Sequence, residues 1–496
     1  MKMKKIFYVL LLVCIGNTCI AQFGNLDSSF GLGGITKIGS DAISKVKESP
    51  YDGKIYGVIY SHYLCRLNAN GSIDNSFGTN GIVNLTGTAF DFIFQSSGKI
   101  VVAERGQGFI MERFNADGTI DNSFLNNVSY TDSLVGGIHY SNGLKLYEYG
   151  SNKKINMVIR YESFASVKNL VLIQTDENGM PDISYGIYGY KTVSTNQTTM
   201  EFAEITNGGN EIICLGVIDI GNGYNIDCRK YNHDLQNNSS FANSGSFSTS
   251  LSATNEYCTA LAISNTGNIF LGCSADNATG VTELVILKLT SGGVLDNTFG
   301  TGGKYTTAVG TNTTFPFGIL PTTNGNIQVY GNYYNTTQNS LFSMRVLANG
   351  TIDNTYGING KIMYSFPDTS IEGYCVSVQS DGKVLLSGYV DSMAVREGCI
   401  IRLSDNITTN IEHILSKNEF SIFPTVTKGK CYILSSLLRK GDEIIVINME
   451  GQIVFKQHCI DETTTFIDIS DLKNNIYLIT IVRNNLVEYN VKIIKE

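Results

Sequence analysis

Short runs in which apolar and polar residues alternate follow one another along nearly the whole chain. Residues 89–95, 100–104 and 108–115 are three of them, each with the two-residue period of a strand. No stretch combines helix formers with a sustained 3.6-residue apolar period, so the pattern predicts an all-β protein. Tight turns separate the runs. Gln95-Ser96-Ser97-Gly98-Lys99 and Gln379-Ser380-Asp381-Gly382-Lys383 are nearly identical, and related turns occur at Asp52-Gly53, Asn142-Gly143, Asn207-Gly208, Thr266-Gly267 and Asn324-Gly325. Between alternating runs they predict hairpins with type I′ turns, whose two central residues both need positive φ.

A second signal alternates with these hairpins. Leu26-Asp27-Ser28-Ser29-Phe30-Gly31 returns as Ile73-Asp74-Asn75-Ser76-Phe77-Gly78, Ile120-Asp121-Asn122-Ser123-Phe124, Leu295-Asp296-Asn297-Thr298-Phe299-Gly300 and Ile352-Asp353-Asn354-Thr355-Tyr356-Gly357. Weaker copies are Asp182-Ile183-Ser184-Tyr185-Gly186 and Asn238-Ser239-Ser240-Phe241, and successive copies lie 47 to 61 residues apart. Units of that length with four antiparallel strands are propeller blades. The seven hairpins and seven motifs are out of phase, because the chain opens on a motif and the last hairpin has none after it. The expectation is a closed propeller, seven blades favoured, in which the N-terminal strand completes the last blade and leaves no open sheet edge.

The motif chemistry reads as structural. An Asp carboxylate accepts hydrogen bonds from the backbone two residues on. Phe30, Phe77, Phe124, Tyr185, Phe299 and Tyr356 can fill the gaps between blades. A calcium loop is the competing reading for Asn115-Ala116-Asp117-Gly118-Thr119-Ile120-Asp121, but other copies carry amides, and none has a terminal bidentate Glu. No metal or cofactor is expected. The net charge of −8 argues against nucleic acid as a partner.

The first 21 residues differ from the rest. Lys2, Lys4 and Lys5 precede an apolar run, and Cys19-Ile20-Ala21 offers small residues, so a signal peptide cut between Ala21 and Gln22 is expected. The run is too short to span a bilayer, and no transmembrane anchor is expected. Of the nine remaining cysteines, Cys214 with Cys228, Cys258 with Cys273, and Cys375 with Cys399 fall on neighbouring strands and could pair. The favoured reading is small apolar residues buried as thiols.

From about 26 to 403, the alternation of hairpins with Arg-Leu/Phe-Asn-x-(Asp/Asn)-Gly-x-(Ile/Leu)-Asp-x-(Ser/Thr)-Phe-Gly resembles the delta-60 repeat family of exported bacterial β-propellers. That family implies a fold and no catalytic residues. Residues 404–418 read as a polar linker. The alternating runs of 419–496 predict a small β-sandwich. Their order resembles the type A sorting domain of the type IX secretion system of Bacteroidota, which implies that system's machinery as a partner and a secreted or surface location.

Little else carries chemistry. His62, His139, His233, His413 and His458 are scattered, and no GxSxG, HExxH or P-loop pattern is present. There is no Trp, but tyrosines such as Tyr333-Tyr334 could stack on sugars. Asp132-Ser133-Leu134 and Asp391-Ser392-Met393 resemble a short O-glycosylation sequon. The expectation is a monomeric, noncatalytic scaffold that binds a protein, glycan or matrix through loops at the ends of the ring. The alternative is a glycan-active hydrolase with carboxylates at the mouth.

Overall fold

A computed structural model of the chain describes residues 24–60, 62–106, 108–126, 129, 140–162, 168–195, 199–221, 223–251, 256–336, 338–366, 369–392, 395–404, 421–423, 426–427, 429–434, 442–448, 452–459, 464–483 and 486–495. The expected signal peptide with Ala21 and Gln22, most of the polar linker, His139, His413 and the sequon at Asp132 lie outside these residues. The chain divides into two compact units, Met1–Ile411 and Glu412–Glu496. Both are all-β, and the described residues contain no α-helix.

The first unit is a succession of antiparallel sheets in which chain order is sheet order. Sheet one holds Ile43–Glu48, Ile55–Ile59, Tyr63–Leu67 and Ile82–Asn84. Sheet two has three described strands, Thr88–Phe94, Ile100–Gly106 and Gly108–Phe114. Sheets three to six have four each and open on Tyr140–Tyr149, Thr199–Thr206, Glu256–Ile263 and Thr314–Pro321. Sheet seven holds Ser370–Val378, Val384–Ser392 and Val395–Leu403. Its fourth strand is Ile35–Ile38, paired antiparallel with 398–401 in the register Ile35↔Ile401 to Ile38↔Gly398.

Burial explains why so many strands read as unbroken apolar runs. Ile100 and Val102 join a core with Tyr56, Val58 and Leu64 of sheet one. Val101 and Ala103, on the opposite face, join one with Leu146, Ile155 and Met157 of sheet three. Each sheet is thus sandwiched between its neighbours, and each fully buried Val or Ile stabilises by about 1.5–3 kcal/mol. The same holds between sheets seven and one, where Leu385 and Ile400 pack with Ile43, Val46, Ile55 and Cys65.

The first strands of successive sheets pack on one another from one to seven, and that of seven packs on that of one. Every one of these strands carries a bulge. The extra residue is Ser44, Phe90, Leu144, Glu201, Thr259, Phe317 and Tyr374 in sheets one to seven. A bulge bends a strand and re-aims one side chain, so each of the seven sheets carries one irregular position on its first strand.

Three expectations are corrected. The hairpin at Gln95 is not type I′: Gln95 and Lys99 pair across three residues, and only Gly98 takes positive φ (77°). One left-handed glycine after a type I turn matches the strand twist equally well. Asn142-Gly143 is no turn but lies within Tyr140–Tyr149, paired with Arg160 and Ile159. A side chain at Gly143 would collide with the ring of Phe90. Cys258 and Cys273 are joined in a disulfide rather than buried as thiols. They face each other directly across sheet five, whereas Cys214 lies opposite Arg229, and Cys375 and Cys399 are separated by the strand between them.

In the second unit, Ser421–Phe423, Lys430–Leu434 and Thr464–Asp468 form a three-stranded sheet. A five-stranded sheet has Asn475–Arg483 at its centre. Cys431, Ile433 and Ile467 from one sheet meet Ile444, Val446, Ile479 and Ile481 from the other in a common core.

Candidate functional site

The repeated aspartates occupy one geometry. In each copy Oδ1 accepts the backbone N–H of the residue two positions on, at 3.0 to 3.1 Å for Asp27, Asp74, Asp121, Asp182, Asp296 and Asp353. The backbone N–H of each donates to the carbonyl eight residues earlier, as from Asp74 to Arg66 and from Asp121 to Arg113. In the first copy that carbonyl belongs to Arg402, at the far end of the unit, 2.8 Å from Asp27 N. The second carboxylate oxygen meets a cation. Arg66 and Lys54 hold Asp74, Arg113 and Lys99 hold Asp121, Arg345 holds Asp353, Lys288 holds Asp296, Lys154 holds Asp182, and Arg402 holds Asp27 at 2.9 Å. Burial alone would raise the Asp27 pKa, but Ser29 and the two cations Arg402 and Lys383 bring it down to about 2.

These cations were not anticipated, although an Arg or Lys eight residues before most of the aspartates is legible in the sequence. The copy at Asn238 shows their purpose. Where the motif has lost its carboxylate, Glu211 supplies one, pairing with Lys230 at 2.9 Å and accepting from Asn238 Nδ2 at 3.0 Å. The aromatic residues reach the next sheet. Phe77 lies against Gly118 and Phe124 against Gly179, while the N–H of Gly78 donates to the Asp117 carbonyl at 2.9 Å. Tyr356 lies against Gly24, three residues before Asp27, as Gly71 and Gly118 stand three before theirs.

A different set of residues, partly exposed except for the buried Tyr389, lies where first strands begin and second strands finish. Tyr60 of sheet one contacts Tyr374 of sheet seven at a centroid distance of 5.9 Å, and Tyr374 contacts Tyr389 at 6.0 Å. Phe315 and Tyr334 of sheet six are 5.9 Å apart, and Phe315 meets Tyr257 of sheet five at 6.0 Å. The Glu372 carboxylate joins the two groups by interacting with both Tyr334 and Tyr389. Arg396 lies 4.0 Å over the Tyr389 ring. Six rings thus form an arc across four adjacent sheets. Tyr60, Tyr257 and Tyr374 stay 44, 47 and 38% exposed. Tyr374 is the bulge residue of its strand, which turns it outward. Burial, then Glu372, pushes its hydroxyl up to about 12, so it remains a hydrogen-bond donor at neutral pH.

The first strands of sheets one to four carry a charged network. Lys47 pairs with Asp91 at 2.6 Å, and Asp91 also accepts the Leu146 N–H at 2.9 Å. Lys145 pairs with Glu204 at 3.0 Å. Burial opposes the charge on Asp91, yet Lys47, Lys145 and Lys45 hold its pKa at about 2.

Two further titratable clusters are enclosed. Glu104 and Glu112 are buried side by side. Glu104 accepts the Gly87 N–H at 2.6 Å, and Glu112 accepts the Thr86 hydroxyl at 2.9 Å. Burial, then the Glu112 charge, pushes Glu104 up to about 9, so it holds its proton at neutral pH. His233 stacks on Tyr149 at 3.9 Å and contacts Gln174, and burial lowers its pKa to about 4. Neither cluster lies on the aromatic arc. Among the described residues no group of three His, Cys, Asp or Glu is arranged to hold a metal.

Comparison with known proteins adds the following. Residues 421–496 match the family of secretion system C-terminal sorting domains, and residues 52–77 and 95–124 match a beta-propeller domain of unknown function, DUF5122. No curated protein matches the chain. Among solved structures, a PL25 polysaccharide lyase, an ulvan lyase bound to -[GlcA(1-4)Rha3S]-, is 11% identical with a TM-score of 0.44, over 75% of this chain and 96% of that one. Drosophila Semaphorin 2a is 8% identical with a TM-score of 0.44, over 94 and 97%. The β-propeller domain of Myceliophteria thermophila Cps50 (Swd1) is 9% identical with a TM-score of 0.39, over 74 and 98%. Such likenesses bear on no activity. The sorting tail marks the protein for secretion and export to the cell surface. The chain therefore carries repeats of the DUF5122 beta-propeller family and ends in a C-terminal sorting domain of the type IX secretion system.

Proposed function

We propose that the protein is a surface-exported, noncatalytic scaffold that binds a glycan at the mouth of a closed seven-bladed propeller. Closure is supported by the pairing of Ile35–Ile38 with sheet seven, by the core shared between sheets seven and one, and by the seven equivalent bulges. In this reading residues 1–21 are removed before Gln22, residues 22–403 form a monomeric propeller, and 404–418 link it to the sorting sandwich of 419–496. The repeated aspartates and aromatics pin turns and lock blades, since both oxygens of each carboxylate are already engaged.

One observation carries the binding function: the arc of Tyr60, Tyr374, Tyr389, Tyr334, Phe315 and Tyr257. Flat rings with protonated hydroxyls stack on the apolar faces of sugars and exchange hydrogen bonds at their rims. An arc over four sheets suits an extended polymer better than a small molecule, for which an enclosed cavity is usual. The enclosed pair Glu104 and Glu112 offers no accessible acid and base for hydrolysis.

The test is affinity electrophoresis of the full secreted chain through gels containing plant, algal and microbial polysaccharides. Retardation by at least one, and its loss in Tyr374→Ala and Tyr257→Ala with unchanged melting temperature, is expected. A loss of about tenfold in affinity corresponds to about 1.4 kcal/mol per ring. Binding that survives both substitutions refutes this site, and release of shortened chains refutes the noncatalytic reading.

A further inference from the structure

We infer that the bound glycan is uncharged and that Glu372 selects it, accepting a pair of sugar hydroxyls beside the rings of the arc. This rests on the glycan-binding reading and adds the class of ligand and the residue that sets it.

The register of the first strands places the carboxylate. Glu372 of sheet seven, Phe315 of six and Tyr257 of five each lie two residues before the bulge of their strand. They stand opposite Tyr389, Asn332 and Ser274 of the second strands. Phe315 and Tyr257 are 6.0 Å apart, and Glu372 continues their row into sheet seven, where it interacts with Tyr334, Tyr374 and Tyr389. In sheets one to four the same position holds Ala42, Thr88, Asn142 and Thr199. Rings and an acid therefore share this level only in sheets five to seven.

The carboxylate is half-buried and makes no ion pair among the described residues. Arg396 lies 4.0 Å over the Tyr389 ring and pairs with Asp391 at 3.8 Å instead. A carboxylate offers about four lone-pair sites. With the hydroxyls of Tyr334 and Tyr389 directed to Glu372, about two sites are left for a ligand.

An acceptor-only group sorts sugars by charge. Hydrogen bonds to an ionised acceptor are about twice as strong as neutral ones. A sugar stacked on Phe315 or Tyr257 therefore gains most by presenting two adjacent hydroxyls to Glu372. A uronate or sulfate in the same place meets like charge, with Asp41 also acting on Tyr374. An amino sugar sets a second cation beside Arg396. An uncharged sugar meets neither penalty.

The experiment measures binding of the full secreted chain to dextran, hydroxyethylcellulose and guar galactomannan, each against its carboxymethyl and its diethylaminoethyl form. At least one neutral polymer is expected to bind, with its carboxymethyl form about tenfold weaker. Raised salt should narrow that gap. Glu372→Gln should weaken binding of the neutral polymer and remove the penalty on the carboxymethyl form. Glu372→Asp should keep the penalty. Because Glu372 makes no ion pair, Glu372→Gln is expected to fold normally, which its melting curve checks.

Equal binding of neutral and carboxymethyl forms, still dependent on Tyr374 and Tyr257, overturns the uncharged assignment and leaves the glycan reading intact. Tighter binding of the diethylaminoethyl form does the same. Failure of every polymer, in this set and in the wider panel of plant, algal and microbial polysaccharides, overturns both. A penalty on the carboxymethyl form that persists in Glu372→Gln overturns the role of Glu372.

Discussion

Glu104 is a buried acid that the folded chain keeps protonated, and removing its ability to ionise should stabilise the protein. Its pKa rises from the ordinary 4.5 to about 9 on folding, through burial first and the neighbouring Glu112 charge second. The folded state therefore binds a proton that the unfolded state releases, and stability falls as pH climbs from about 4.5 towards 9. At 1.36 kcal/mol per unit, three units above the unfolded value cost about 4 kcal/mol near pH 7.5. Glu104→Gln keeps an oxygen to accept the Gly87 N–H and places an amide N–H beside Glu112. Some hydrogen-bond strength is lost in the exchange, so a net gain of about 1–3 kcal/mol near neutral pH is expected. The assay is urea unfolding of wild type and variant at pH 4.5 and 8.5, followed by tyrosine fluorescence. The two proteins should unfold at similar urea concentrations in acid, and the variant should require more urea in base. A difference between them that does not grow with pH would refute the reasoning, as would a variant less stable at both values.

Other substitutions probe the repeat. Arg402→Ala leaves the partly buried Asp27 with Lys383 at 3.4 Å as its remaining cation among the described residues and should destabilise by about 1.5–3 kcal/mol, seen as a lower melting temperature. Gly118→Ala puts a methyl 2.8 Å from Gly78 N and 3.0 Å from the Phe77 ring, at a φ of +87°, and should cost about 1–3 kcal/mol in urea unfolding. Asn238→Asp sets a second carboxylate beside Glu211 with Lys230 to share; it should destabilise, and adding Glu211→Lys should restore stability by recreating the usual arrangement, measured as a double-mutant cycle. The depressed Asp27 pKa contributes stability that is complete above its ordinary value of 3.8 and lost as pH falls towards about 2. Asp27→Asn should therefore flatten the acid limb of the melting curve.

Much of this architecture could be read from local pattern. Alternating runs and glycine turns mark strands and hairpins, because strand period and turn conformation are decided within a few residues. The repeated Asp-x-Ser-Phe-Gly marks one event per sheet. Features that depend on distant partners were harder to read. Asn142-Gly143 looks like a hairpin locally, and only the ring of Phe90 from the preceding sheet explains its glycine. The bulges are invisible because an extra residue in one strand shows only against its partner. Tyr60, Tyr257 and Tyr374 lie far apart in the chain and share no motif, so their arc exists only once the sheets are assembled. For Asp74, Asp121, Asp296 and Asp353 a cationic partner was in plain view eight residues earlier, whereas Asp27 and Asp182 take theirs from elsewhere, and the Asn238 copy, which breaks the motif, shows most clearly what the offset is for.

The pairing of Ile35–Ile38 with Val395–Leu403 joins strands from opposite ends of the unit. During synthesis the first of these waits unpaired while the rest of the unit is made. An emerging chain therefore carries two raw edges, one on each flank of the growing stack, and both attract other strands. Contacts of such long sequence separation form slowly, because a large loop must be ordered first. The strand that emerges first is also the one that must be kept from the wrong partner longest, and a chaperone that holds the N-terminal segment until Val395–Leu403 arrives would raise the yield of folded protein most.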